Sequence, residues 1–125
     1  LQDLRFGIDE LVEIAARALS PGVSDPFTAI AAIDWLGAAI TELADRHESD
    51  GLLADEEGTV RVIAEPLGFG RFLEAASGQL RTYVAQDPVA KPHAVRTLKR
   101  IVEQVRDPAR RSQVRSELAK LIGED

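Results

Sequence analysis

Apolar side chains recur at helical spacing along most of the chain. The first run forms one face of a segment from about Gly7 to Leu19, and it predicts a helix after a short leading segment at positions 1–6. The second run extends from about Pro26 to Arg46 and is apolar almost all round, which is typical of a central helix with neighbours on several sides. We expect its buried stripe to consist of Phe27, Ile30, Ile33, Leu36, Gly37, Ile40, Leu43 and Ala44.

Three later segments show the same periodicity, at about positions 69–85, from about position 93, and from 107 to 123. A β-branched run at Thr59–Ala64, with Leu52–Ala54 as its partner, predicts a β-hairpin over about residues 52–64. The pattern therefore predicts a mainly α fold, with about five helices in an orthogonal or bundle-like array and one short β-hairpin. A length of 125 residues fits a single soluble domain over residues 1–125.

Asp-Pro pairs mark three predicted helix boundaries, at positions 25–26, 87–88 and 107–108. Aspartate is a favoured N-cap, and proline suits the first helical position because no N–H is needed there. Before the first pair, Pro21 ends the preceding helix, and we expect Gly22 to supply a positive φ or a close backbone approach. We call Ser20–Pro26 the hinge and interpret it as a tight corner between the first two helices.

The hinge region carries more polar chemistry than a corner requires. Two arginines, two hydroxyl side chains and two aspartates lie in or near it: Arg5, Arg17, Ser20, Asp25, Thr28 and Asp34. One interpretation is a structural corner; the other is a ligand pocket or subunit contact built from these six residues. Asp34 lies among apolar side chains, so it should either lie at the edge of the buried stripe or find a partner, for which Arg5, Arg17 and Arg71 are the candidates.

The composition excludes several kinds of site. Because there is no Cys, the chain can form neither a disulfide nor a thiolate metal site. The two histidines, His47 and His93, do not have metal-ligand spacing, and no phosphate-binding loop or nucleophile elbow is present. We therefore expect no catalytic residue, no metal and no cofactor, although an enzyme that uses the carboxylates and arginines near the hinge stays open as a third class.

Charge is distributed unevenly along the chain. Residues 1–90 hold sixteen acidic and six basic residues, whereas residues 91–120 hold nine basic and three acidic ones. The basic segment suits solvated helix faces, anionic lipid headgroups or an acidic neighbouring subunit. Nucleic acid is not expected as a partner, because no recognition motif or aromatic stacking platform accompanies the bases.

Five stretches near the amino terminus carry a family resemblance: Gln2-Asp3, Arg5-Phe6-Gly7, Leu11-Val12-Glu13-Ile14-Ala15, Arg17-Ala18-Leu19-Ser20-Pro21-Gly22 and Asp25-Pro26-Phe27-Thr28-Ala29. They resemble an uncharacterised bacterial family of predicted membrane proteins, in which several transmembrane helices precede a soluble half that contains this motif. The resemblance extends to Asp34 and weakens after about Asp87. The family usually has Asn where Ser24 stands, and it brings no established reaction.

The resemblance implies a membrane context for a chain that itself should contain no membrane span. The most apolar stretch, from Pro26 to Thr41, is shorter than the roughly 20 residues a span needs and contains Asp34. Because the chain has no Met, we expect a domain excised from a longer protein. The resemblance implies that it comes from the carboxyl-terminal half of a membrane protein, and we expect it on the cytoplasmic side of the cell membrane.

The function we expect is that of a non-catalytic assembly or regulatory domain of a multi-span membrane protein. Its expected partners are its own transmembrane region and further copies of itself, with anionic lipid headgroups contacted through residues 91–120. The alternative is a ligand-sensing or transport-accessory domain with a polar pocket at the Ser20–Pro26 hinge.

Overall fold

The computed structural model describes residues 2–46, 52–54, 60–62 and 68–123. These segments contain α1 (Gln2–Ala18), α2 (Pro26–Ala44), α3 (Phe69–Ser77), α4 (Leu80–Gln86), α5 (Ala90–Gln104) and α6 (Pro108–Ile122). Two three-residue strands, β1 (Leu52–Ala54) and β2 (Val60–Val62), pair antiparallel with Leu53 opposite Arg61. Of the hairpin predicted over about residues 52–64, these two strands are the part that lies within the described residues.

The mainly α prediction is confirmed, but the expected count of about five helices is too low for the described residues, which contain six. The segment predicted as one helix over about 69–85 is two helices that meet at Gly78 and Gln79. Glycine is a weak helix former, so the backbone can bend there. At this bend a Cβ on residue 78 would lie 2.8 Å from the Glu74 carbonyl oxygen, so only glycine fits without a shift.

Two predicted starts also need correction. Helix α1 begins at Gln2 rather than near Gly7, because Leu4 continues the apolar stripe of Ile8 one turn earlier and packs against the core. Helix α5 begins at Ala90 rather than near His93. Pro92 falls in the first turn of α5, where its missing N–H costs nothing.

Helix α2 is the central element and packs against α1, α3 and α5. Its inward side buries the residues Ala29, Ala32, Ile33, Leu36, Ile40, Leu43 and Ala44. The prediction that Phe27 joins this stripe is wrong, since its side chain is 75% exposed. The true stripe is phased around Leu36 and Ile40, which turns Phe27 to the opposite side of the helix.

Helix α5 lies unusually close to α2. A Cβ on Gly37 would stand 2.8 Å from Thr97 Cγ2, so the absence of a side chain at residue 37 sets the separation of the two helices. Close packing of apolar helix faces, as between α2 and α5, is the main source of helical stability in a small domain.

Helix α6 binds the carboxyl-terminal end of α2 through one arginine. The buried Arg110 donates from Nη1 to the carbonyl oxygens of Leu43 at 3.1 Å and Ala44 at 3.0 Å, and also to that of Arg46. Carbonyls at a helix end lack the regular N–H donors of the helix interior, and a cation is favoured there. The guanidinium also lies 5.6 Å from the centre of the Phe69 ring, a cation–π distance.

Two of the three Asp-Pro predictions are confirmed in full. Asp25 and Asp107 are the N-caps of α2 and α6, with proline in the first turn of each helix. Asp87 instead caps the turn before α5, where Oδ1 accepts from the N–H groups of Val89 and Ala90. As predicted, Gly123 ends α6, in a left-handed conformation with φ of 85°.

The length argument against a membrane span does not hold for α2. Within the described residues this 19-residue helix is long and apolar enough to cross a membrane by length and composition alone. However, 39% of it is buried within the chain, and a core helix passes the same test.

Candidate functional site

Hydrogen bonds to backbone carbonyls hold the hinge in a tight turn. The Ser20 carbonyl accepts from the N–H groups of Val23 and Ser24 at 3.0 Å, and the Ser20 hydroxyl donates to the Arg17 carbonyl at 2.8 Å. The N–H of Asp25 donates to the Ala18 carbonyl at 2.7 Å, which joins the start of α2 to the end of α1.

The special backbone conformation in the hinge belongs to Ser24, not to Gly22. Ser24 has φ of 47°, whereas Gly22 has no positive φ, and a Cβ added to Gly22 would meet nothing within 4 Å. Both expectations for Gly22 are therefore wrong. Asparagine adopts the left-handed region more readily than serine, so backbone geometry explains why Asn suits this position without assigning it a ligand.

Asp25 and Thr28 satisfy each other at the start of α2. Asp25 Oδ1 accepts from the Thr28 N–H at 3.2 Å, and Oδ2 accepts from the Thr28 hydroxyl. The Thr28 hydroxyl, and next the Thr28 N–H, hold the pKa of Asp25 below its usual value because both bonds favour the ionised carboxylate. Both residues are thus occupied by the helix cap.

The two candidate arginines are paired within α1. Arg5 Nε donates to Asp9 at 3.1 Å, and Arg17 Nη2 donates to Glu13 at 2.6 Å, each across one helical turn. Both pairs lie at the surface, where an ion pair contributes little to stability. The Arg17–Glu13 pair follows from the sequence spacing.

Asp34 finds a partner that the sequence does not indicate. Its Oδ1 lies 2.6 Å from Nε2 of His93, so the contact joins α2 to α5, and none of Arg5, Arg17 and Arg71 is its partner. The two residues are 59 positions apart, and a lone histidine gives no spacing signal.

The structure therefore brings together only part of the predicted polar set. Arg17, Asp25 and Thr28 line one shallow surface depression, together with Glu10, Glu13, Ile14, Ala18 and Val23. Arg5 borders a different depression, between α1 and the α3–α4 bend. Ser20 is engaged in the turn, and Asp34 lies beside α5.

A small apolar pocket of about 90 Å³, open to solvent on one side, lies between the helices, and the sequence shows no sign of it. Residues of α2, α3, α4, α5 and α6 line it, and its polar rim includes Arg81 and Glu117. The Glu117 side chain is only 7% exposed; it accepts from Arg81 at 2.8 Å and lies 3.5 Å from Lys120 Nζ. This buried carboxylate is thus neutralised from two sides.

The most distinctive surface feature is the side of α2 that faces away from the core. Phe27 is 75% exposed and Trp35 is 69% exposed, and Ala31 and Ala38 are exposed between and beyond them. We call Phe27, Ala31, Trp35 and Ala38 the outer face of α2. Large exposed aromatics in one row indicate a binding surface, whereas single exposed apolar residues do not.

The described residues contain no group of three or more acidic or histidine side chains that could hold a metal ion. The carboxylates of Asp25, Asp9 and Glu13 are engaged in a helix cap and two ion pairs. What the geometry offers is therefore surface recognition through α2 and a small, partly open apolar pocket.

Comparison with known proteins places this arrangement in a family. The family model described as "Predicted membrane protein (DUF2254)" matches residues 1–100. The chain belongs to this family. It is 32% identical over 121 residues to the uncharacterized protein Mb1321c of Mycobacterium bovis and equally to the uncharacterized protein Rv1290c of Mycobacterium tuberculosis.

Each alignment covers 97% of this chain and 23% of the relative. The chain thus spans about a quarter of the length of these relatives. The family match confirms the resemblance seen in the sequence, and the description of the family as predicted membrane proteins agrees with the membrane context that the resemblance implies. No solved structure gives a significant match.

Proposed function

We propose that this chain is a non-catalytic assembly domain of a multi-span membrane protein, and that two copies associate through the outer face of α2. The observation that carries the proposal is the row of exposed apolar side chains on an otherwise central helix. A helix of this composition usually has neighbours all round, and within the described residues α2 has them on only part of its circumference.

The outer face has the composition of an interface. Tryptophan and aromatic anchors dominate interface energetics, and polar groups commonly form the rim around them. Here Thr28, Asp34 and Glu42 are the exposed polar residues of α2 that flank the apolar row. A second copy would bury Phe27 and Trp35 and leave this rim in water.

The spacing of the outer face is self-complementary. Phe27 and Trp35 are about 12 Å apart along the helix axis, and Ala31 and Ala38 are about 10 Å apart. In an antiparallel pair with two-fold symmetry, Phe27 faces Ala38 of the second copy and Trp35 faces Ala31 of the second copy. Each large side chain then packs on a small one, which a closed isologous interface requires.

The oligomeric state tests this proposal directly. We expect the 125-residue chain to be a dimer by light scattering, and Trp35→Ser to raise the dimer Kd by about 30-fold, the loss typical of an interface hot spot. Tyr83→Ser is the matched control, because Tyr83 is an exposed aromatic on α4. A wild-type chain that stays monomeric at all concentrations contradicts self-association.

The orientation has its own test, because the chain contains no natural cysteine. Mixing Phe27→Cys and Ala38→Cys chains should give a mixed disulfide-linked dimer under mild oxidation. Neither variant alone should cross-link efficiently. Cross-linking of Phe27→Cys with itself would instead support parallel helices and contradict the antiparallel arrangement.

A second candidate is ligand sensing, for which the apolar pocket between the helices is a better site than the hinge. The pocket is almost wholly apolar and holds about 90 Å³, so it suits a small apolar molecule. If this candidate is correct, xenon or a small hydrocarbon should raise the thermal midpoint, and Ala94→Leu, which fills the pocket, should abolish the shift. No stabilisation by either probe would rule this candidate out.

A further inference from the structure

We propose that the exposed bases of α5 bind the anionic headgroups of the bilayer to which this domain is attached. The bases are Arg96, Lys99 and Arg100, and we call them the basic face of α5. All three are exposed and lie within two turns of one helix. Helix α5 therefore presents a compact positive surface on a chain whose net charge is −6.

Within the described part of the chain, no ion pair or hydrogen bond engages any of the three side chains of the basic face. Among the described residues Arg71 and Arg115 also form no side-chain ion pair, so what distinguishes the basic face is that three such bases lie close together on one helix. Glu103 is the single exposed acid of α5, and it forms no ion pair with them. By contrast, both arginines of α1 are neutralised one turn away. Cations without an ion pair remain available to an external anion, and the single charge of Glu103, one turn from Lys99 and Arg100, offsets only part of their attraction.

Contacts between helices determine where the basic face lies. The Asp34–His93 contact and the close approach of Gly37 to Thr97 place α5 along one flank of α2. Thr28 lies on the other flank, where it shares a surface depression with Ile14 of α1. The outer face of α2 thus runs between α1 on one side and α5 on the other.

This placement has a consequence that rests on the proposed self-association. The two-fold axis of an antiparallel α2 pair stands perpendicular to the plane that contains both helices. Both copies of α5 then lie on one side of that plane and both copies of α1 on the other. The dimer would present two basic faces in one direction and, in the opposite direction, the two copies of α1, whose Asp9 and Glu13 are paired with arginines.

A membrane surface is the partner that fits these observations. A homodimeric membrane protein has its two-fold axis along the membrane normal, so a dimer of this kind directs one of its charged sides at the bilayer. Anionic lipids attract bases near the surface, and the cytoplasmic leaflet carries such lipids. The family consists of predicted membrane proteins. The basic face contains no large apolar side chain, so the contact is reversible and sensitive to salt.

Vesicle binding tests the proposal with the 125-residue chain. We expect sedimentation with vesicles of phosphatidylcholine plus phosphatidylglycerol, negligible sedimentation with phosphatidylcholine alone, and release by high salt. Arg100→Gln should weaken binding about five-fold, and the triple variant R96Q/K99Q/R100Q should abolish it. Arg71→Gln is the matched control, since it removes one exposed base from α3 and should change binding less than two-fold.

Light scattering of the same variants separates this proposal from the previous one. Trp35→Ser should dissociate the dimer and weaken vesicle binding without abolishing it, whereas the triple variant should stay dimeric. If the triple variant dissociates instead, the bases contact acids of a second copy and the headgroup proposal is wrong.

Two other results would overturn it. Equal binding to phosphatidylcholine alone would mean that the apolar face of α2 enters the bilayer. Competition by millimolar inorganic phosphate beyond its effect on ionic strength would indicate a site for free phosphate rather than for a lipid surface.

Discussion

The arginines of α1 and those of α5 carry the same charge and are used differently. Arg5 and Arg17 each have an acid four residues away and pair with it. The nearest charged neighbours of Arg96 along its helix are other bases, so no such pair forms. A dense cluster of charges near a hinge is therefore a weaker sign of a site than a few charges without partners.

A third arginine makes the comparison sharper, because Arg110 is buried and its Nη1 donates to three carbonyl oxygens at the end of α2. Arg110→Met should lower the free energy of unfolding by about 3 kcal/mol, since those carbonyls lose a charged donor inside the protein. Chemical denaturation measures this, with Arg115→Met as the exposed control on α6. A loss equal to that of the control would mean that water replaces the guanidinium at no cost.

The close approach of α2 and α5 should be the next most sensitive feature. Gly37→Ala brings a methyl group to 2.8 Å from Thr97 Cγ2, so despite the better helix propensity of alanine we expect a net loss of about 1 kcal/mol. The double variant G37A/T97S removes the methyl group in the way and should recover most of that loss. No recovery would show that the strain lies elsewhere.

The helix caps give a smaller effect. Asp107→Ala removes the acceptor for the Arg110 N–H, which lies 2.9 Å from Oδ2, and should lower the free energy of unfolding by about 1 kcal/mol. Asp107→Asn keeps an acceptor and should recover most of the stability. If the Ala and Asn variants are equally stable, the cap contributes nothing.

Asp25 adds a pH dependence of known sign. The pKa of Asp25 is lower in the folded chain than its unfolded value of 3.8, so the ionised carboxylate stabilises the fold above that pH. The stabilisation is lost as the pH falls through the pKa of the folded chain. Thr28→Val removes the hydroxyl that lowers the pKa of Asp25 most. In this variant the thermal midpoint should therefore fall less steeply with decreasing pH below about pH 4. An unchanged acid limb in this variant contradicts the assignment.

The smallest effect should come from the ion pairs of α1. Arg17→Gln leaves an exposed partner in water, so the free energy of unfolding should change by less than about 0.5 kcal/mol. The thermal midpoint at low and high salt measures it. A loss as large as that of Arg110→Met would contradict the description of the Arg17–Glu13 pair as a weak surface contact.

Local patterns predicted what depends on local chemistry. The helical periodicity gave the mainly α fold, and the Asp25 and Asp107 caps follow from residue types at short spacing. The bend at Gly78 and the left-handed Ser24 were missed because the same residues also occur in unbroken helices and ordinary turns.

The candidate site was harder to predict because it depends on contacts distant in sequence. His93 reaches Asp34 across 59 positions, and no periodicity encodes such a pairing. The phase of the α2 stripe was misjudged at Phe27, since a helix that is apolar on all sides gives little indication of which side is inward. That ambiguity is also what concealed the outer face.

The Arg110 contact has a consequence for the order in which the protein can complete its fold during synthesis. Arg110 is 67 residues after the Leu43 carbonyl that it binds, so the ribosome produces all of α3, α4 and α5 before this bond can form. Until then the end of α2 must be satisfied by water, and the apolar helix is most exposed to wrong partners.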